Sequence, residues 1–534
     1  MLRVLDECDN VAADFSADPV HDLRVSLRRC RSMADGMMAM DPDPSWKAMK
    51  KAGKQLFQRL GALRDVQIMM EWIEKLELHL PHDASQQIPV TEEPTSNQES
   101  QNSAQAPSEA SEASTHDPAG KALLHILGAR ETEHKREARA ALEEFDRKQW
   151  RQWSKSLPMR ASRVRPGSVV FKHLALERWT TARELHTRAM RNRSQVALHT
   201  LRIGIKRFRY IVENFLPEEH KLWSDDLKHM QDLLGEVHDL DVLWATALSC
   251  RVFPDEASRS AWHARIVEER TKRVEEYRQR THGSNSLWNL WRSGLPQGKQ
   301  IGEIATRRMK LWAKALDPDF AHSERVARLA LQLYDSLFAG GLLRPDPVNG
   351  NGTNGIDKNP RASLYAAALL HDVGKSKGNK GHHKESLELI KKHGTPLGWS
   401  EGDIRRAGLI ARFHCGALPL HNHKALRDLL PEEKRLVVRL SAILRFANAL
   451  DAGHDGHVRG LKLENAAFAK KRRTNGLLRK PPTLPKNECL VIAAEGYLEG
   501  SSTAQAVAAE RYLLETVLRR PVMVRAASGV PSRA

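Results

Sequence analysis

A basic helical word written twice constrains this chain more than any other feature. The stretch His199–Glu213 reads HTLRIGIKRFRYIVE, and an earlier copy, His21–Met33, reads HDLRVSLRRCRSM. A residue on an α-helix advances by about 100°, so His199, Arg202, Lys206 and Arg209, at offsets of 0, 3, 7 and 10, fall within an arc of about 80°. His21, Arg24, Arg28 and Arg31 repeat those offsets. Leu201, Ile205, Phe208 and Val212 in one copy, and Leu23, Leu27 and Cys30 in the other, lie off the stripe and give each helix an apolar side to bury. A merely solvated face mixes acids with bases at i,i+4; these seams hold only His, Arg and Lys, and repel themselves unless an anion settles them. Arg207 belongs to the same basic run but lies about 80° off the stripe.

The echo continues downstream, where LGALRDVQIM (Leu60–Met69, containing Arg64) pairs with LGEVHDLDVL (Leu234–Leu243). The duplicated unit is therefore a helical hairpin rather than a lone helix. This tandem HxxRVxxRRxR / LGxxRD pattern resembles the CHAD family (conserved histidine α-helical domain) over most of residues 1–295. The resemblance implies two pseudo-symmetric helical bundles around a basic channel that binds inorganic polyphosphate. Its ligands would be His21, Arg24, Arg28, Arg31, Arg64, His199, Arg202, Lys206, Arg207 and Arg209.

With 534 residues, the chain can build two or three domains, each with its own core. A formal charge of +18 and a pI near 9.7 point to a polyanionic partner: polyphosphate, nucleic acid or an acidic membrane face. Aromatic residues are few and do not interleave with the Arg stripe, whereas a single-stranded nucleic-acid groove needs stacking platforms beside its cations. Nucleic acid is thus the weaker partner. Five scattered cysteines without CxxC spacing fit a reducing compartment. Neither a signal peptide nor an apolar run long enough to cross a membrane is visible, so the expectation is a cytoplasmic protein, associated with polyphosphate granules if it binds that polymer.

The fold class expected is mainly α: a duplicated antiparallel helical bundle, then an all-α domain with a small α+β appendage. Residues 83–118 contain no Lys or Arg and are rich in Ser, Gln, Glu, Ala and Pro; they read as a disordered acidic insertion, either a spacer or a segment whose acids occupy the basic channel. The motif LPMRASRVRPGSV (157–169) reads as a connection, and residues 283–300 as the domain boundary. The domains expected are 1–295, 300–458 and an appendage at 459–534, where LKLE, ECLVIAAEGY and PVMVRA read as short strands. The Gly/Asn-rich residues 346–359 read as a loop.

Beyond Ile301 histidines cluster: His322 in AHSERVARLALQLYDSL, His371 and Asp372 in YAAALLHDVGK, His382 and His383 in GHHKESLELI, His414 in LIARFHCGALP, and Asn448, Asp451 and His454 in RLSAILRFANALDAGH. An apolar helix run, AAALL, ends in an adjacent His-Asp pair, and Gly374 can close the helix so that both stand at its end. Imidazole with carboxylate suits a divalent metal ion: Mn, Mg, Fe or Zn. The order of these words resembles the HD superfamily of metal-dependent phosphohydrolases, and HSERVARLALQL, ARFHCGALP and RFANALD resemble the C-terminal HD-type domain of the exopolyphosphatase/guanosine pentaphosphate phosphohydrolase family. That resemblance implies His322, His371 and Asp372 as metal ligands, His383 and His414 for a second metal, and Lys375 facing a substrate phosphate. Arg412 would neutralise developing charge beside it. Where the family carries a metal-binding Asp, this chain has Asn448; Asp451, three residues on, is the candidate substitute.

The chain contains neither the Gly-rich loops of an actin-like phosphatase domain nor an ExExK triphosphate-tunnel signature, so any chemistry belongs to residues 300–534. The leading reading couples polyphosphate binding to hydrolysis of a phosphoanhydride or phosphoester, on polyphosphate, a phosphorylated small molecule or a nucleotide. The alternatives are a non-catalytic polyphosphate adaptor, favoured by Asn448, and a nucleic-acid binder.

Overall fold

Apolar residues recurring every three to four positions, with few β-branched runs between them, build a mainly helical protein. The computed structural model describes residues 1–76, 118–192, 194–343, 359–420, 422–464 and 489–527. The insertion at 83–118 and the loop at 346–359 lie outside these residues, save for Pro118 and Asn359. Two compact units are present, one of Met1–Gly36 and Pro44–Leu295, the other of Met37–Asp43 and Pro296–Ala534.

The first unit contains α1 (Arg3–Ala13), α2 (Ala17–Met37), α3 (Pro44–Lys75), α4 (Pro118–Glu143), α5 (Arg147–Ala161), α6 (Val169–Asn192), α7 (Gln195–Phe215), α8 (Pro217–Cys250), α9 (Glu256–Thr281) and α10 (Leu287–Ser293). The two basic words are α2 and α7. Ser194 caps α7 by accepting from the Ala197 N–H, and Pro217 opens α8 where no intrahelical N–H is needed. Both helices bury the apolar side their spacing foretold: Leu23, Leu27, Leu201, Ile205, Phe208 and Val212 are fully covered. They lie side by side, with Arg29 donating to Glu213 at 2.7 Å and Gly36 seated against the ring of Phe215. The LG-bearing helices α3 and α8 also pack together. Val66, Trp72 and Ile73 share one core with Leu240, Leu243, Leu123 and Trp262, so the two copies complete each other.

Helix α3 runs unbroken through Gly61 to Lys75, because Leu56, Leu60, Leu63 and Val66 keep helical spacing and are all buried. Two details differ from the sequence reading. Helix α5 continues through Pro158, held by the fully buried Leu157 just before it. Residues 283–300 are not all boundary: Trp288 and Trp291 of α10 are fully buried, against Trp179 and Phe208, and the unit ends at Leu295.

The second unit contains α11 (Gln300–Leu316), α12 (Phe320–Ala339), α13 (Pro360–Leu370), α14 (His382–His393), α15 (Glu401–Arg412), α16 (Pro431–Ala449), β1 (Gly460–Leu463), β2 (Leu490–Glu495), α17 (Ser502–Leu518) and β3 (Val522–Ala526). The strands form a sheet in the order β1-β2-β3; β1 is antiparallel to β2 with Leu461 opposite Ala494, and β3 is parallel to β2 with Ile492 opposite Val524. Helix α17 makes the crossover that a parallel pair requires, and Arg445 of α16 donates to Glu510 of α17 at 2.7 Å. Leu461, Ile492, Leu513 and Val522 share one core with Val326, Leu370, Ile410 and Ile443, so sheet and helices are one body.

Candidate functional site

The first site is the cationic seam between α2 and α7. Arg24, Arg28, Arg31, Arg202, Lys206 and Arg209 are half-buried, whereas the off-stripe Arg207 and its counterpart Arg29 are exposed. Loss of solvation, then Arg28, Arg202 and Arg24, push the Lys206 ammonium down to about 7. Burial, with Arg28, Arg64 and Arg202, brings Arg24 down to about 10 against the pull of Asp65. Outer cations have counter-ions: Arg29 pairs with Glu213 and Arg64 with Glu71, each at 2.7 Å. Inside the seam, Arg24 Nη1 and Arg28 Nε are buried without a hydrogen-bond partner. Buried, mutually repelling donors left unpaired describe a site for an anion.

Two rings reach the seam, Tyr210 of α7 and Phe57 of α3. Phe57 lies beneath Arg24 and Arg31, 5.0 and 4.7 Å from their guanidinium carbons, and Tyr210 beneath Arg28 at 5.3 Å. Their faces hold cations in place and are not open to stacking bases.

Sequence reasoning missed two carboxylates. Asp65 and Asp239 close the two LG segments at the same repeat position, and both interact with Arg202 and Lys206. Loss of solvation raises both, Asp239 to about 6. Asp65 has four cations around it, Arg24, Arg202, Lys206 and Arg64. Their identical placement in the repeat was the available signal. The LG glycines also have a role: a Cβ on Gly61 would stand 2.6 Å from Arg24 Nη1, while one on Gly235 would stand 3.9 Å from Arg202 Nε. In the second copy His199 Nδ1 faces His238 Nδ1 at 3.2 Å, and burial with Arg202 pushes His238 down to about 4. Arg64 takes the His238 position in the first copy; burial and Arg64 lower His21.

The second site is built around Asp372. Helix α13 ends at Leu370, so His371 and Asp372 emerge at its C-terminus. The Gly374 N–H donates to Ser386 Oγ at 2.9 Å, and Ser386 Oγ donates to the His371 carbonyl at 2.7 Å, clamping this turn onto α14. Only glycine fits there, since a Cβ would stand 2.6 Å from the Ser386 nitrogen. The clamp brings His382 over the carboxylate. His371, His382 and His414 each donate Nδ1–H to a main-chain carbonyl, of Ala368, Asn379 and Ala411, at 2.7, 2.8 and 2.7 Å. Their Nε2 lone pairs are thereby turned toward Asp372.

Asp372 Oδ2 lies 3.4 Å from His371 Nε2 and 4.0 Å from His322 Nε2; Asp372 Oδ1 lies 3.3 Å from His382 Nε2 and 3.6 Å from His414 Nε2. Burial lowers His371 and His414, keeping both imidazoles neutral. Burial opposes the ionised Asp372 and the Lys375 ammonium bound to it favours it, and the carboxylate falls below its usual range. Neutral imidazoles around an ionised carboxylate are the protonation states a divalent cation needs. His371 Nε2 and Asp372 Oδ1 are buried and unpartnered, so the donor set fits one.

Of the remaining sequence candidates, Lys375 Nζ pairs with Asp372 Oδ2 at 2.6 Å. Asn448 Oδ1 lies 2.9 Å from His322 Nε2, within reach of the first donor group. Asp451 does not join it: Oδ2 accepts from His322 Nδ1 at 2.7 Å and Arg325 Nε at 2.9 Å, and Oδ1 from the Gly456 N–H. It stands behind His322 and orients it, a carboxylate–imidazole pairing common behind metal ligands. His383, one residue past His382, is turned about 100° away and its ring rests against Gly416; His382 holds the place beside His414 assigned to it from sequence. Arg412 is buried, stacks on Phe413 and acts electrostatically on His383, with Nη1 unpartnered. Cys415 Sγ lies 3.7 Å from His382 Nε2 and also escaped the sequence reading.

The comparisons agree with both motif sets. The family model of the CHAD domain matches residues 2–248, and that of Ppx/GppA phosphatase, domain III, matches residues 305–482. No curated protein matches the chain. No described helix is long and apolar enough to cross a membrane. A duplicated cationic helical unit followed by a histidine–aspartate cluster thus corresponds, in family terms, to a CHAD domain joined to a domain III of the Ppx/GppA phosphatase type.

Proposed function

We propose that residues 1–295 bind inorganic polyphosphate along the seam of Arg24, Arg28, Arg31, Arg202, Lys206 and Arg209, flanked by His21, Arg64 and His199. Residues 300–458, with 459–534 completing their core, then act as a divalent-metal-dependent phosphohydrolase on a phosphoanhydride or phosphoester. The observation that carries the reading is the pair of unpartnered donor sets: buried cations without acceptors in one unit, and imidazole lone pairs around a buried carboxylate in the other. Two CHAD-type copies favour an extended phosphate chain over an isolated phosphate.

His322, His371 and Asp372, with Asn448 beside them, would hold a first cation; His382 and His414 would hold a second across Asp372. When bound, Mn, Mg, Fe or Zn there supplies Lewis acidity toward a phosphoryl oxygen and toward water. The chain's own contribution is orientation: Asp451 fixes the His322 tautomer, and main-chain carbonyls fix the other three imidazoles. Lys375, part-exposed beside Asp372, presents an ammonium to a substrate phosphate, and Arg412 adds a second positive charge near Cys415.

A binding-only reading has one observation in its favour. Asn448 offers a neutral amide where a second carboxylate would add charge, which weakens the hold on a cation. Phosphate release from long-chain polyphosphate by the purified chain with manganese separates the readings. Release that disappears in His371→Ala/Asp372→Ala supports the hydrolase; no release, with polyphosphate binding intact in both proteins, leaves the adaptor. Equal displacement of bound polyphosphate by duplex DNA at moderate salt would refute the specificity for bare phosphate chains.

A further inference from the structure

We infer that the second cation position is a thiolate site, in which Cys415 Sγ joins His382 Nε2, His414 Nε2 and Asp372 Oδ1 to select a thiophilic divalent ion of the zinc type. The inference rests on the metal reading proposed above and assigns this cysteine a role the family resemblance does not supply. It makes the two positions chemically unequal, since His322, His371 and Asp372 Oδ2 contain no sulfur.

The geometry carries it. His382 Nε2 and His414 Nε2 are 3.0 Å apart, Asp372 Oδ1 lies 3.3 and 3.6 Å from them, and Cys415 Sγ is 3.7 Å from His382 Nε2. All three side chains His382, His414 and Cys415 place a donor atom within 4.8 Å of one another. With metal–nitrogen bonds of about 2.0–2.1 Å and metal–sulfur bonds of about 2.3 Å, a tetrahedron has nitrogen–nitrogen edges of about 3.3 Å and nitrogen–sulfur edges of about 3.6 Å. An octahedron closes those edges to about 2.9 and 3.1 Å; the 3.7 Å nitrogen–sulfur spacing matches the tetrahedral edge and the 3.0 Å nitrogen–nitrogen spacing lies between the two, so the spacing is that of donors sharing one ion.

The surroundings support a ligand rather than a packing cysteine. Cys415 is half-buried with its sulfur facing the His382 ring nitrogen, whereas Cys8 is fully buried. Asp372 Oδ1, on a carboxylate 2% exposed, has no hydrogen-bond partner and points into the group. The backbone that bears the sulfur is fixed: Arg445 donates to the carbonyls of Phe413 and Gly416 at 3.1 and 3.2 Å, and Gly416 turns the chain at φ +70°. Borderline-soft ions gain from a thiolate that magnesium and manganese do not favour.

The test is cobalt(II) titration of the full chain, read by the near-ultraviolet thiolate-to-cobalt charge-transfer band and by equilibrium dialysis. The expected result is a band that zinc abolishes and manganese does not, lost in Cys415→Ser and in His382→Ala but retained in His322→Ala. Zinc affinity falls at least about tenfold in Cys415→Ser while manganese affinity holds. Cobalt retained without a band, or a band surviving in Cys415→Ser, overturns the thiolate site and leaves the metal reading standing. No cobalt retained at all overturns both.

Discussion

Replacing the two repeat glycines one at a time tests whether the seam is shaped for its arginines. A methyl on Gly61 would stand 2.6 Å from Arg24 Nη1, about 1 Å inside ordinary contact. The obstacle is the far end of a flexible side chain, so the helix accepts the methyl and the guanidinium moves. Gly61→Ala then gains about 0.8–1 kcal/mol of helix propensity and loses the aim of one charge-assisted phosphate contact, worth about 1.5–3 kcal/mol when made in full. Partial loss predicts about tenfold weaker polyphosphate binding together with a small rise in melting temperature. In the other copy a methyl on Gly235 meets Arg202 Nε at 3.9 Å, so Gly235→Ala gains the same helix stability and keeps wild-type affinity. Competition binding of labelled long-chain polyphosphate at fixed salt, beside calorimetric melting, reads both quantities. Wild-type affinity in Gly61→Ala, or an equal loss in Gly235→Ala, would refute the placement of Arg24 in the binding surface.

Two further outcomes follow from the charges. Lys206 is held at about 7, far below its free value of 10.5, so above pH 7 a phosphate chain must bring a proton with it. Affinity therefore declines as pH rises from about 7 toward 10, by at most tenfold per unit, and Lys206→Met flattens the profile. Over the same window the unfolded chain binds more protons at this lysine than the folded one, so this group makes the free protein more stable as pH rises, and unfolding does not explain the decline; a pH-independent affinity would contradict it. Asp451→Asn keeps every metal donor but removes the carboxylate behind His322, and manganese affinity by calorimetry should drop about 10–100-fold. A change below about twofold would show that Asp451 does not orient His322.

Helical periodicity made the seam legible. Offsets of three, four and seven put Arg24, Arg28, Arg202 and Lys206 on one stripe, and the burial of Leu23, Leu27, Leu201 and Ile205 on the other side follows from the same period. The His-Asp pair was legible because an apolar run ending at Leu370 must expose what comes next. Periodicity could not separate His382 from His383, since neighbouring residues differ by rotation alone and the choice depends on the Gly374–Ser386 clamp. Nor could it separate a ligand from its orienting group: Asp451 and Asn448 are one turn apart, and which faces the cluster depends on Arg325 and the Gly456 backbone.

The amino-acid order by itself determined the duplication, the mainly helical class, the strands near the C-terminus and the residue types that can bind phosphate or metal, because all of these depend on local period and chemistry. Tertiary structure alone decided that α2 and α7 stand side by side, so that Asp65 and Asp239, from the partner helices of the two copies, act on the same Arg202 and Lys206. It also decided that four imidazoles from separate segments converge on Asp372 with Cys415 beside them. The reason is physical. A donor set is defined by distances of 3–4 Å between residues far apart in the chain, and such distances are set by which apolar faces bury one another, not by the spacing of any one segment.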